Sequence, residues 1–437
     1  MDGRIGRSQV RLAARLAGVA AAGVIVSGCV AAQASPTLEP TTAPTAALTA
    51  VPSPSPAATA SPSPTFAPLP SGAWTGIHWT RVTSDAPVFS PLVTPGPSAD
   101  PNVLDSGWVV TGWSRGYVAF DTVVTDGPTS WSDATTTQLS EDGVTWRAGG
   151  GFTLSGTGDD PYGGMGVTGI VEGPSGLVAV AAAVVTCGNP GIYVSPVAVS
   201  ADGTAWKTVT RPANSIQRLT GSAHGYLAVG GSGVFTSTDG AAWSKTDLSA
   251  AAFKGLQALQ DGVAFGGGYV IVGVTKGPAF EGCGAGPTSL NPATWLSADG
   301  STWAKSSLPG AVTGPDVSVS VCVVNDRVLV ASESVDNAAK TWTSADGATW
   351  TAAHHDFDCN LTKGAGTAPD GRTLRWGYDD NGVMVVSTIG DDLSTAALAQ
   401  SGDVPDWTTI GESAFGPAGL IATDQDNEVW IGVPTAS

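Results

Sequence analysis

A seven-residue phrase, Ser-x-Asp-Gly-x-x-Trp, recurs five times and constrains the fold of this chain more than any other feature. Its fixed residues are Ser140, Asp142, Gly143 and Trp146, then Ser200, Asp202, Gly203 and Trp206, then Ser237, Asp239, Gly240 and Trp243, then Ser297, Asp299, Gly300 and Trp303, and last Ser344, Asp346, Gly347 and Trp350. Asp-Gly is a strong hairpin signal: glycine takes positive φ without a steric penalty, and the aspartate oxygen accepts hydrogen bonds from backbone N–H groups just ahead of it. The serine hydroxyl ties the near side of the same turn. The tryptophan starts the returning strand, and burying its roughly 150–250 Å² contributes about 4–6 kcal/mol before ordering entropy is subtracted. Each phrase is a hairpin with an anchor, and its Ser and Asp are turn residues rather than catalysts. A degenerate copy ends at Trp407, and a bare last half, Gly76-Ile-His-Trp79, precedes the first full copy.

A second phrase, a turn residue followed by a short aliphatic strand, lies upstream of each box. It reads Gly107-Trp-Val-Val, Gly176-Leu-Val-Ala-Val, Gly225-Tyr-Leu-Ala-Val, Gly268-Tyr-Val-Ile-Val, Asp326-Arg-Val-Leu-Val, Gly382-Val-Met-Val-Val and Gly419-Leu-Ile-Ala. That gives seven units, and the tryptophans from Trp79 to Trp407 also give seven, at intervals of 37 to 67 residues. No long stretch shows helical apolar periodicity, so the body is all-β. A repeat of this size predicts a seven-bladed β-propeller of four-stranded antiparallel blades, with a decorated six-bladed ring as the alternative. The C-terminus is expected to supply three strands of the last blade and His78-Trp-Thr-Arg-Val82 its outer strand, a 3+1 closure.

The Ser-x-Asp-Gly-x-x-Trp phrase resembles the Asp-box, or BNR repeat, of the sialidase-like propellers, Ser-x-Asp-x-Gly-x-x-Trp. Every full copy here lacks the residue between Asp and Gly. In that family the box is structural, so the resemblance implies architecture and leaves the ligand open.

The chain begins with Arg4, Arg7, Arg11 and Arg15, followed by an apolar run from Leu16 to Val26 that is too short to span a bilayer. Val26-Ser27-Gly28-Cys29 resembles the bacterial lipobox, which implies lipidation at Cys29 after removal of residues 1–28 as a lipoprotein signal peptide. Residues 30–72 hold ten prolines and a single charge, Glu39. Such a segment buries too little apolar surface to offset its ordering entropy, so 29–72 is the lipidated cysteine plus a disordered linker. Residues 73–437 form the propeller. The expected address is the extracytoplasmic face of a bacterial membrane or the cell surface, with the membrane a partner through the lipid anchor.

In such a blade the strands, A to D, run outward from the axis. A–B turns and Asp-Gly turns share one end; B–C and D–A loops share the other, where extra sequence collects. Function concentrates on loops projecting from a rigid frame, so the loop end is the expected ligand face. Its candidates are Arg115, within a long aromatic B–C segment running to Trp131, Asp159, Asp160, Tyr162, Tyr193, Asp356, Asp358 and Arg372. Cys187, Cys283, Cys322 and Cys359 form an even set that allows two disulfides outside the cytoplasm, with Cys187–Cys283 and Cys322–Cys359 the favoured pairing. Their spacing fits no zinc motif, and no metal or cofactor is expected.

The chain has 19 basic and 37 acidic residues; residues 1–28 account for four arginines and Asp2, which leaves 15 against 36. An acidic body repels nucleic acid and anionic membrane surfaces, so neither is an expected ligand. Sialidase chemistry, which the resemblance raises, would need an arginine triad, a Tyr/Glu nucleophile pair and an acid/base Asp. Arg115, Arg211, Arg218, Arg372 and Arg375 are the five that can approach the funnel, and no motif selects three of them. Whether the chain is an enzyme stays open; the leading expectation is a surface lipoprotein acting as a binding or scaffolding module for an extracellular glycan or protein. A sialidase-like exo-glycosidase is the alternative, and an assembly or stability factor for a membrane complex is the third reading.

Overall fold

The computed structural model describes residues 69–82, 103–126, 130–157, 164–183, 197–210, 216–230, 233–276, 289–311, 313–314, 317–334, 337–353, 359, 364–368, 371–379, 383–424 and 428–436. The signal segment, Cys29 and most of the linker lie outside them.

Seven sheets, six of four antiparallel strands and one of four with a fifth strand added, follow one another along the described chain and make a seven-bladed propeller. Blade 1 comprises Val103–Trp113, Gly116–Asp126, Ser130–Ser140 and Trp146–Thr157, and blade 2 Gly164–Gly173, Gly176–Ala183, Val197–Ser200 and Lys207–Val209. Blade 3 runs through Arg218–Ser222, Gly225–Gly230, Gly233–Ser237 and Ser244–Lys245, and blade 4 through Leu256–Phe265, Gly268–Lys276, Leu290–Ser297 and Ala304–Ser306. Val317–Val324, Arg327–Ser334, Asn337–Ser344 and Thr351–Ala352 make blade 5; Gly364–Thr367, Thr373–Tyr378, Met384–Ile389 and Thr395–Ala397 make blade 6.

Blade 7 closes the ring as the sequence predicts. Ile410–Gly416, Gly419–Asp424 and Val429–Ala436 come from the C-terminus, and Trp74–Val82 from the N-terminal side pairs antiparallel with Val429–Ala436. A fifth strand was not anticipated: Ala399–Gly402 runs parallel to Gly76–Trp79 on its outer side. Trp79 is fully buried and donates to Gln400 Oε1 at 3.1 Å, so the strap and the closing strand share a side-chain contact as well as a ladder.

An apolar cluster lies between each pair of neighbouring blades. The one that joins the ends of the ring packs Val110, Tyr117 and Ala119 of blade 1 against Ala414, Ile421, Val429 and Ile431 of blade 7. Between blades 5 and 6, Val324, Leu329 and Ala331 meet Ile389 and Leu393. Asn325 adds a polar tie there, donating to the Ile389 carbonyl at 2.7 Å and accepting from Thr373 N at 3.0 Å. Cys322 and Cys359 sit at disulfide distance at the same seam, with Cα atoms 5.7 Å apart. Cys187 and Cys283 fall outside the described residues.

Three expectations need correcting. Gly107-Trp-Val-Val lies in the innermost strand of blade 1, and the second strand starts at Gly116; Gly382-Val-Met-Val-Val leads into the third strand of blade 6, and the second starts at Thr373. The innermost, second and third strands all carry short aliphatic runs, so the phrase marks a blade more surely than a position in it. Trp407 does not start the outer strand of blade 6, which is Thr395–Ala397; it packs edge-on against Trp79 with ring centroids 5.4 Å apart.

Candidate functional site

Four of the five boxes share one hydrogen-bond pattern. In the first, Ser140 Oγ accepts from Gly143 N at 2.8 Å and donates to Asp142 Oδ1, which accepts from Val144 N and Thr145 N at 2.8 and 2.7 Å. Asp202, Asp239 and Asp299 accept the equivalent pairs, and Ser200, Ser237 and Ser297 accept from Gly203, Gly240 and Gly300. In the fifth, Ser344 donates to Asp346, which accepts from Ala348 N and Thr349 N. Trp146, Trp206, Trp243 and Trp303 donate to the carbonyl of their own box glycine at 2.8–3.1 Å, whereas Trp350 reaches Ser306 Oγ in the preceding blade. These side chains are committed to the turn.

The box glycines also explain how the turns sit in the ring. Gly143, Gly203, Gly240, Gly300 and Gly347 have φ of 71–77°, which favours glycine. A Cβ at Gly300 would lie 2.3 Å from Thr236 Oγ1 of the previous blade, so the bare backbone is also what allows that approach.

Around the axis, side chains of the innermost strands hold neighbouring blades together. In blade 4 a β-bulge between Leu259 and Asp261 re-aims the strand. Gln260 bonds the backbone of Val317 and Val319 in blade 5. Asp261, 8% exposed, accepts from Val321 N at 3.1 Å and faces Arg218 Nε of blade 3 at 3.4 Å. Burial pushes the Asp261 carboxyl up, while Arg218 and the two N–H donors pull the other way.

A cavity of about 490 Å³ opens in the part of the axial channel bounded by blades 1, 2, 6 and 7. In blades 1, 2 and 7 its walls are the last residues of innermost strands and the turns that follow, and in blade 6 the whole of Gly364–Thr367 with Trp376 of the second strand, so it lies mainly toward the A–B turns. Trp113, Trp376 and Phe415 supply aromatic surface, Thr111, Thr367 and Ser413 hydroxyls, and Glu172 a carboxylate. Glu172 is held in place by Ser114, whose backbone N–H donates at 2.7 Å and whose hydroxyl bonds the other carboxylate oxygen. Trp376 Nε1 donates to Ser413 Oγ at 2.7 Å. The indole N–H of Trp113 is buried and has no acceptor among the described residues.

The anticipated ligand-face residues are distributed otherwise. Arg115 sits in the A–B turn of blade 1, with its guanidinium 5.4 Å from the Trp113 ring centroid, and the segment from Arg115 toward Trp131 is largely strand. Arg372 enters the second strand of blade 6 at the same end of the propeller. It stacks on Trp74 at 3.9 Å and donates to the Pro70 and Gly72 carbonyls, pinning the entry of the closing strand. Arg218 lies at the start of its innermost strand, toward the loop end and away from Arg115 and Arg372. Asp159, Asp160, Tyr162, Tyr193, Asp356 and Asp358 lie outside the described residues, as does Arg211. Among the described residues no three His, Cys, Asp or Glu side chains are grouped to hold a metal ion. Trp113, Ser114, Glu172 and Asp261 were not singled out from the sequence; their place at the ends and bulges of innermost strands becomes visible only when the strands are assigned.

No protein-family model and no curated protein matches the chain. Similar solved structures include virginiamycin B lyase from Staphylococcus aureus with quinupristin, at 8% identity and a TM-score of 0.39 over 77% of this chain and 97% of that one. A six-bladed fucose-recognising lectin of Aleuria aurantia is similar at 12% identity and 0.29, over 70% and 98%. Trypanosoma rangeli sialidase is similar at 13% identity and 0.34 over 75% of this chain and 54% of that one.

Proposed function

We propose that this chain is a lipid-anchored, extracytoplasmic propeller that binds a glycan and does not cleave it. The observation that carries this reading is how the charged groups near the axis are used. Arg218 and Asp261 are spent on each other and on joining three blades, and Arg372 on the closing strand. Arg115 and Arg372 lie at the opposite end of the channel from Arg218, which disfavours a three-arginine clamp among them. The cavity offers aromatic walls, hydroxyls and a single carboxylate among its described lining residues, a set suited to holding a polyhydroxylated ligand rather than to paired acid and base work. Tethering follows from Cys29 and the proline-rich linker, which also holds the propeller away from the membrane.

Two measurements test the proposal. The mature lipoprotein in detergent micelles is incubated with a panel of sialosides and cell-wall or plant polysaccharides, and both retention and released reducing ends are followed. Retention without release is expected; release from any member contradicts it. Cys29→Ala is expected to move the protein from the membrane fraction to the medium or to leave it unprocessed, and unchanged fractionation contradicts the anchor.

A protein partner is the second reading. Tyr378, Val383 and Val404 are large apolar side chains exposed near the loop end of blades 6 and 7, where a partner would cover them.

A further inference from the structure

Among the described residues, one seam of the ring is built unlike the others. Each of the other apolar clusters contains a buried aromatic ring, whether Tyr117 between blades 7 and 1, Tyr226 between blades 2 and 3, or Trp376, Trp407 and Phe415 between blades 6 and 7. Between blades 5 and 6 the cluster is Val324, Leu329, Ala331, Ile389 and Leu393, with Cys322, Ala353 and Cys359 half-buried against it. An aromatic side chain buries roughly 150–250 Å², and this cluster goes without one.

The same seam holds the unusual backbone. Asn325, Asp326 and Leu393 are the described non-glycine residues with positive φ, at 48°, 57° and 67°. Asn and Asp tolerate that region in a tight turn; leucine does not. Leu393 follows Asp392, whose Oδ1 accepts from Ser394 N at 2.9 Å, so it stands where the boxes of other blades carry glycine. It is 4% exposed and packs into the seam, so its side chain holds the blade 5 face at the expense of a strained backbone. The other ties are polar. Asn325 N donates to Thr373 Oγ1 and Thr373 N to Asn325 Oδ1, each at 3.0 Å, and water can replace both bonds once the seam parts.

We infer that the seam between blades 5 and 6 is where the ring opens, and that the Cys322–Cys359 pair governs the opening. Oxidised, the pair holds the seam shut; reduced by a dithiol, it lets blade 6 move away from blade 5. This device is independent of what the propeller binds. Cys322 lies in the innermost strand of blade 5, and Cys359 in the connection that leads to blade 6. Without a crosslink, blade 6 hangs from blade 5 by the twelve residues from Ala352 to Gly364; with it, by the five from Cys359 to Gly364. At no more than about 3.6 Å per residue, the reach of that connection falls from about 43 Å to about 18 Å. Both cysteines are half-buried, so neither is enclosed by the cluster. In the reduction, a thiolate of the dithiol attacks one sulfur and the other cysteine leaves as a thiolate. The second thiol of the reductant then displaces the first cysteine, so two electrons pass to the pair and the reductant departs as its own disulfide.

The test uses the full protein after it has folded, so it does not depend on a variant folding. Iodoacetamide labelling under native conditions is read by mass spectrometry before and after dithiothreitol. Hydrogen exchange is followed at Asn325 and Thr373, whose N–H groups bond across this seam, and at Ala264, whose N–H bonds to Thr220 across the seam between blades 4 and 3. Cys322 and Cys359 are expected to resist labelling before reduction and to accept it afterwards. Exchange at Asn325 and Thr373 is expected to rise roughly ten-fold or more while Ala264 is unchanged, and reoxidation to reverse the rise. The double variant Cys322→Ser, Cys359→Ser is expected to show the reduced pattern without dithiothreitol, which separates this pair from Cys187 and Cys283. Labelling of either cysteine before reduction, a pair that does not yield to dithiothreitol in the folded protein, or unchanged exchange at Asn325 and Thr373 overturns the inference. So does a rise of equal size at Ala264, or a double variant that exchanges like the oxidised protein.

Discussion

Arg218 Nε lies 3.4 Å from Asp261 Oδ1, and through this pair blades 3, 4 and 5 are tied at the axis, because Asp261 also accepts from Val321 N. Removing the carboxylate leaves the Val321 and Gly262 N–H groups without that acceptor. Asp261→Ala is expected to lower stability by about 2–4 kcal/mol, measured as a denaturant midpoint.

Arg218→Ala behaves differently because its cost depends on pH. Burial raises the folded-state pKa of Asp261 above its unfolded value, and Arg218 holds that rise in check. A carboxyl with a raised folded pKa favours folding most below its unfolded value of about 3.9, and that contribution declines as pH rises toward the folded value. Without Arg218 the decline extends further. The gap in melting temperature between wild type and Arg218→Ala is expected to widen from about pH 4 to about pH 7; a gap independent of pH would show that the pair is not coupled.

The box aspartates act with the opposite sign. Backbone N–H groups of Thr349 and Ala348, with Ser344, hold Asp346 down to about 2. Asp239 and Asp299 are lowered by the same kind of bonds, and at Asp142 and Asp202 those bonds outweigh a partial burial that pushes upward. Lowered carboxyls contribute fully above the unfolded value near 4 and lose that contribution as pH falls through the folded value. Melting temperature is expected to fall between about pH 4 and about pH 2, and Asp346→Asn to flatten part of that fall.

The box tryptophans are not equivalent. Trp303 is 7% exposed and packs beside Phe253, whereas Trp243 is only half-buried. Trp303→Ala is expected to cost about 3–5 kcal/mol and Trp243→Ala roughly half of that, compared by denaturant midpoints. Equal costs would show that the box, rather than burial, sets the anchor strength.

Cys322 and Cys359 are 37 residues apart and sit at the seam between blades 5 and 6. If they are oxidised together, Cys322→Ser is expected to lose about 3–4 kcal/mol, from the loop the crosslink closes. Thiol titration of the denatured, unreduced protein checks the premise: neither cysteine should react.

Much of the ring was legible in the sequence because its signals are local. A Ser-x-Asp-Gly-x-x-Trp phrase carries its turn chemistry with it, and Trp79 in a half-copy near the start, with Gly419-Leu-Ile-Ala near the end, suffices to suggest the shared last blade. What was not legible depends on contacts between blades. The strap at Ala399–Gly402 exists because Trp79 and Gln400 meet across some 320 residues. Arg372 reads as a loop arginine until Trp74 is found beneath it. Gln260 and Asp261 are ordinary polar residues until a bulge turns them toward blade 5 and Arg218. Trp113 and Glu172 lie 59 residues apart in chain and become neighbours of one cavity only when the innermost strands are gathered around the axis.

The central claim is that this propeller holds a glycan intact, and recovering the ligand tests it most directly. An oligosaccharide retained by the protein is eluted after prolonged incubation and its mass determined. The account predicts that all of it returns at its original mass; a shortened or hydrolysed product that is absent from a protein-free control would contradict it.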